Sequence, residues 1–156
     1  MTIGPTTLVF FDASCLIAAA GRPDGGSGFV LSLCARRLLV AVVSQPVLWE
    51  AENNILSKLG ADGLATYHQL LKQTPMIVAH VPLPEERERF RELVGEKDEH
   101  VVVAAATIAA PFLLTLDKRL AQRITAGLST PRALTPGEFI TTILPGHVAF
   151  SRLRDT

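Results

Sequence analysis

Four carboxylates stand where an unpaired acid is costly unless it has chemistry to do: Asp12, Glu50, Asp98 and Asp117. Asp12 ends the apolar run Leu8-Val9-Phe10-Phe11, and Asp117 follows Phe112-Leu113-Leu114-Thr115-Leu116, so both sit where buried strands end. Strand ends are where α/β proteins build their sites. Carboxylates brought together repel and raise one another's pKa, so a converging set implies a cation. Oxygen-only ligation suits a hard ion, Mg²⁺ or Mn²⁺, which keeps several waters and pairs with phosphate oxygens. The sequence has no H-x-x-x-H, no cysteine pair and no glycine-rich loop after its first strand, which points away from zinc and from phosphate-cradling loops. Each acid also has an ordinary reading: Asp12 and Asp117 as helix caps, Glu50 as a solvated helix residue, Asp98 as a partner of a helix dipole.

The elements that must position these acids alternate. Strands are predicted at Leu8 to Phe11, Leu38 to Val43, Ile77 to Val81 and Phe112 to Leu116, with a short last strand at Ala133-Leu134. Helices are predicted over Cys15 to Ala20, capped by Ser14, and over Phe29 to Arg37. The turn-rich Gly21 to Gly28 reads as a loop between them. Ser44 with Pro46 starts a helix to about Lys58, and Leu64 to Lys72 forms another. Glu85 to Val94 reads as a charged helix with Phe90, Leu93 and Val94 inward and Glu86, Arg87, Glu88 and Arg91 wet. Asp98 and Glu99 open a helix over His100 to Ala110, and Lys118 to Ala126 follows the fourth strand. Thr135 and Glu138 form a capping box for a last helix to Leu144. Such alternation predicts a three-layer α/β/α fold with a central, mostly parallel sheet of about five strands. The ends of strands one and four then share an edge, and all four carboxylates could meet there.

The chain is 156 residues long, which fits one domain able to bury its own core. Fifteen basic residues balance fifteen acidic ones, so no global field attracts a polyanion, and nucleic acid would have to be gripped locally. Cys15 and Cys34 lie in apolar stretches and read as buried, reduced thiols. The N-terminus carries no basic segment with a cleavage site, and Pro111 interrupts the longest apolar run, Val101 to Leu116, so a cytoplasmic protein with no membrane span is expected. With 48% of residues apolar, the domain is expected to present a patch that a homodimer mate or another protein covers. A flexible tail is expected near 148–156.

Taken in order, Phe11-Asp12-Ala13-Ser14, Leu48-Trp49-Glu50, Lys97-Asp98-Glu99-His100 leading to Ala104-Ala105-Ala106, and Leu114-Thr115-Leu116-Asp117 resemble the successive acidic motifs of the PIN domain family. The closing Thr135-Pro136-Gly137-Glu138-Phe139 is similar as well, so the likeness spans most of the chain. No one motif is specific; the ordered set is.

The resemblance implies one PIN-like domain over residues 1–156 and a Mg²⁺- or Mn²⁺-dependent endoribonuclease, of the VapC type found as toxins in toxin/antitoxin pairs. It implies that Asp12, Glu50, Asp98 and Asp117 hold the metal while Ser14 and Thr115 bond the carboxylates or a metal-bound water. Products bearing 5′-phosphate and 3′-hydroxyl would follow, because water is the nucleophile. Lys118, Arg119 and Arg22 are the candidate grips on RNA, with an antitoxin and a second copy as further partners. Glu52, Glu99 and His100 adjoin the motifs, and their membership of the site stays open. A catalytically silent PIN-like module that binds RNA or protein is the competing expectation. A receiver-like signalling domain ranks last, since Phe10-Phe11-Asp12 offers one acid where a pair is needed.

Overall fold

Hydrophobic runs too short for helices and too apolar for a half-exposed sheet dictate the centre of the molecule. In the computed structural model, which describes residues 2–153, they form five parallel strands: β1 (Leu8–Phe11), β2 (Val40–Ser44), β3 (Met76–Ala79), β4 (Phe112–Leu114) and β5 (Arg132–Leu134). Their order across the sheet is β3-β2-β1-β4-β5. The register sets Phe10 beside Val42 on one side and beside Leu113 on the other. These side chains are fully buried, as a sheet covered on both faces requires. Every pairing is parallel, where the sequence alone supported only a mostly parallel sheet.

Helices α1 (Ala13–Gly21), α2 (Gly26–Ala35) and α3 (Gln45–Gln73) pack as one group, α1 lying against both others. A second group is α4 (Pro84–Val94), α5 (Glu99–Thr107) and α6 (Lys118–Gly127), with α4 against both its neighbours. Sheet and helices together make the three-layer α/β/α arrangement expected.

The differences from expectation have local causes. The predicted loop over Gly21 to Gly28 shrinks, because α2 already begins at Gly26. Asp12, not Ser14, caps α1, its Oδ1 accepting the Ala13 N–H at 2.8 Å. The two helices predicted on either side of residue 60 are there, and α3 is broken by Gly60 at φ 71°, ψ −164°. Only glycine enters that region freely. The single helix predicted to Leu144 divides into α7 (Pro136–Glu138), a wide turn at Phe139–Ile143 and a tight one at Leu144–Gly146. Thr135 and Glu138 do form the capping box at its start. Phe139 packs edge-on against Phe112, ring centres 5.5 Å apart, which ties this segment to β4.

His147, which no motif singled out, is a buried clasp. Its Nε2 lies 2.6 Å from the Leu38 carbonyl and its Nδ1 accepts the Ala149 N–H at 2.9 Å, so the proton belongs on Nε2. Beyond it, α8 (Phe150–Leu153) buries Leu153. The remainder of the expected tail, residues 154–156, lies outside the described residues. Both cysteines are buried and free. Among the described residues no helix is long and apolar enough to cross a membrane.

Candidate functional site

In the strand order, β1 stands between β2 and β4, so successive crossovers leave β1 in opposite directions. A parallel sheet opens a crevice at such a reversal, at the carboxyl ends of its strands. Asp12 leaves β1 there, its N–H donating to the Leu114 carbonyl of β4 at 3.0 Å. Asp117 follows β4 and caps α6, its Oδ1 accepting the Arg119 and Leu120 N–H groups at 3.0 and 3.1 Å. Helix α5 leads into β4 and so runs against the strands, which brings its first residues to the same edge. Asp98 stands at that start.

Hydroxyls lock the first acid. Asp12 Oδ2 accepts hydrogen bonds from the Thr115 hydroxyl at 2.8 Å and the Ser14 hydroxyl at 3.2 Å. Each hydroxyl is held from behind, Thr115 by the Asp117 N–H at 3.1 Å and Ser14 by the Leu116 N–H at 3.0 Å. With both protons directed at Asp12, the 3.5 Å approach between the two hydroxyls carries no further proton. Thr115 is fully buried while Asp12 and Ser14 are partly buried, so the frame is rooted in the core and opens toward the crevice.

Asp98 is different. It occupies a cap position without making the cap bond, and no described group donates to its carboxylate. Its pKa is raised, first by partial burial and then by the negative charge of Asp12, with Asp117 adding to the effect. Lys97 and His100 oppose it. Three acids distant in sequence therefore share one electrostatic neighbourhood. Among the described residues, however, no three His, Cys, Asp or Glu side chains are drawn together as a closed ligand set.

Glu50 stands apart. It is exposed in an early turn of α3, its backbone carbonyl accepts the Asn54 amide at 2.8 Å, and its charge is not among those acting on Asp98. Its neighbour Glu52 faces His68 at 3.9 Å. His100 is half-buried, with a buried Nδ1 that has no hydrogen-bond partner among the described residues. Of the predicted RNA grips, Lys118 and Arg119 follow Asp117 directly, while Arg22 is on the exposed turn before α2 and lies 4.0 Å from Asp24.

Glu99 was the residue sequence reasoning placed least well. It points away from the acids and is completely buried, with Arg87 Nε and Arg91 Nε each 3.0 Å from its carboxylate oxygens. The Arg91 contact is a hydrogen bond, backed by Nη2 at 3.5 Å. Arg87 is an ion pair out of line for one. Both arginines were expected to be wet, and both stay partly exposed, yet each turns its guanidinium onto the buried acid of α5. Their spacing of four on α4 was the available signal, since it sets two cations on one helix face.

Three solved structures share this architecture. PAE2754 from Pyrobaculum aerophilum matches with a TM-score of 0.62 at 18% identity, over 96% of this chain and 97% of that one. VapBC2 from Rickettsia felis, bound to a DNA fragment from its promoter, matches at 0.57 and 14% identity over 74% and 92% of the two chains. VapC20 from Mycobacterium tuberculosis, a toxin that cleaves the sarcin-ricin loop, matches at 0.55 and 19% over 78% and 98%. No family model matches the sequence, and no curated protein does. The fold is PIN-like.

Proposed function

We propose that this protein is a metal-dependent endoribonuclease that hydrolyses RNA phosphodiester bonds and serves as the toxin of a toxin/antitoxin pair. One observation supports this reading above the others: Asp98 is left without a hydrogen-bond donor while its pKa is raised by Asp12 and Asp117. Uncompensated carboxylate charge of this kind is what a cation relieves. The donor set is all oxygen, which fits Mg²⁺ or Mn²⁺. Asp12, Asp98 and Asp117 would hold the ion, with Glu50 joining from α3.

When bound, such an ion supplies a Lewis acid that activates water and offsets charge on phosphoryl oxygens. The chain's own groups do the rest. Ser14 and Thr115 fix the Asp12 carboxylate in place, and one carboxylate of the set would take the proton from attacking water. Attack by water and not by the ribose 2′-hydroxyl leaves a 5′-phosphate and a 3′-hydroxyl.

Partners follow from the surface and from the neighbours. An open cavity of about 700 Å³ between α1, α2 and α3, walled by Ile17, Leu59 and Leu116, offers an antitoxin an apolar seat, and the Rickettsia felis structure is of a VapBC pair. Exposed Ile77, Val78, Val81 and Leu83 at the β3 edge give a second copy its contact.

Mn²⁺ should raise the melting temperature of the wild type and leave Asp98→Asn unmoved. RNA cleavage should require the metal and vanish in Asp98→Asn. The competing reading, a silent RNA- or protein-binding module, draws on the separation of Glu50 and on the open arrangement of the three acids. It gains if RNA binds while the melting curve ignores both Mg²⁺ and Mn²⁺.

A further inference from the structure

Among the described residues β5 is an edge strand, paired only with β4. Between it and one face of α6 runs a groove of about 560 Å³, lined from the helix by Lys118, Gln122 and Thr125 and from the strand side by Arg132 and Glu138. The groove begins beside Asp117, because Lys118 is the next residue. Lys118 and Arg132 come from two different elements and converge on it, and neither has a carboxylate within 4.0 Å among the described residues. In a chain whose formal charge is zero, two unpaired cations in one groove call for an anion.

Among the described residues that line it, Glu138 is the only acid. Its Oε1 accepts the Thr135 N–H at 3.1 Å, and that bond, helped by the Thr135 hydroxyl and more weakly by Lys118 and Arg132, holds its carboxyl below the usual range. It is therefore ionised at neutral pH, and the groove keeps a net single positive charge. Gln122 and Thr125 add exposed, neutral hydrogen-bonding groups.

We infer that this groove is the subsite for RNA nucleotides flanking the scissile phosphate, with Lys118 and Arg132 on backbone phosphates and Gln122 and Thr125 facing sugar and base edges. This rests on the nuclease reading above. Opposed by Glu138, the two cations hold the strand loosely, so a cleaved product can leave. Gripping one end of the substrate beside Asp117 also sets which phosphate reaches the acids.

The test measures binding of a fluorescein-labelled single-stranded 12-nucleotide RNA to the full-length protein, in an Asp98→Asn background that prevents cutting. Lys118→Ala and Arg132→Ala should each weaken binding several-fold and flatten the slope of log K against log salt by about 0.7 per lost phosphate contact. Lys72→Ala, an exposed cation at the end of α3, should change neither. Glu138→Gln keeps an acceptor for the Thr135 N–H but removes the charge, and should tighten binding. If the parent protein binds no RNA, the nuclease reading fails and the groove falls with it. Should the parent bind while Lys118→Ala/Arg132→Ala binds with the same affinity and salt slope, the groove inference alone is overturned. An unchanged or weaker affinity in Glu138→Gln overturns it independently, even if the double variant folds poorly. A competing acidic peptide that displaces no RNA agrees with the inference; one that displaces it in a Glu138-dependent manner assigns the groove to a protein partner instead.

Discussion

Asp12, Asp98 and Asp117 are chemically alike and physically unlike. Asp12 is tied by three donors, Asp117 spends one oxygen on capping α6, and Asp98 is tied by none. An acid whose pKa is raised in the folded state favours folding while protonated; the advantage is lost as pH rises from its unfolded value through the raised one. Asp98 therefore costs stability at neutral pH, and Asp98→Asn should melt higher than wild type when metal is absent, a difference that closes on acidification. Thr115→Val is the complementary change. It preserves volume but removes the proton donated to Asp12 and the acceptor for the Asp117 N–H, so calorimetry should show a loss of about 1–3 kcal/mol and a weaker Mn²⁺ response. These four residues, and Ser14 with them, were legible in the sequence: Asp12 and Asp117 because they end apolar runs, Asp98 because it opens a helix, and Ser14 and Thr115 through the resemblance to the PIN domain family. Glu99 was not, since its meaning depends on arginines eight and twelve positions earlier, and those read as a solvated face until α4 is packed on α5.

At the scale of elements, that buried acid fastens α4 to the helix that presents Asp98. The two arginines, Arg91 first, hold the Glu99 carboxyl below the usual range. Stability from a depressed acid is complete above its unfolded pKa and disappears as pH falls through the folded value. Glu99→Gln should lower the melting temperature at pH 7 and flatten its fall in acid, while Asp98 in the variant loses its fixed position and with it Mn²⁺ affinity. The other end of α5 is less well made. The Ala110 N–H reaches back to the Ala105 carbonyl and that of Ala109 to Ala106, a closing turn that puts Ala109 at φ 57°. A Cβ in that region costs about 1–2 kcal/mol, so Ala109→Gly should raise stability by up to that amount in denaturant titrations. Element types were readable from periodicity and turn residues, as at the break before Gly60. Boundaries drifted where two signals competed, as at Asp12 and Ser14, both able to cap one helix.

Across the whole molecule, the strands could be counted from sequence but not ordered. Nothing local in Leu8–Phe11 says that it will lie between β2 and β4, because that choice depends on how two groups of helices cover both faces. Once β1 is central, the crevice and its acids follow. The same order has a consequence in time. The hydroxyl that orients Asp12 belongs to Thr115, 103 residues further along the chain. A ribosome adding about 5–20 residues per second needs roughly 5–20 s to cover that distance. Throughout that interval the emerging chain carries Asp12 with neither Thr115 nor Asp117 beside it, so chemistry at the crevice waits until both have been made and folded against it.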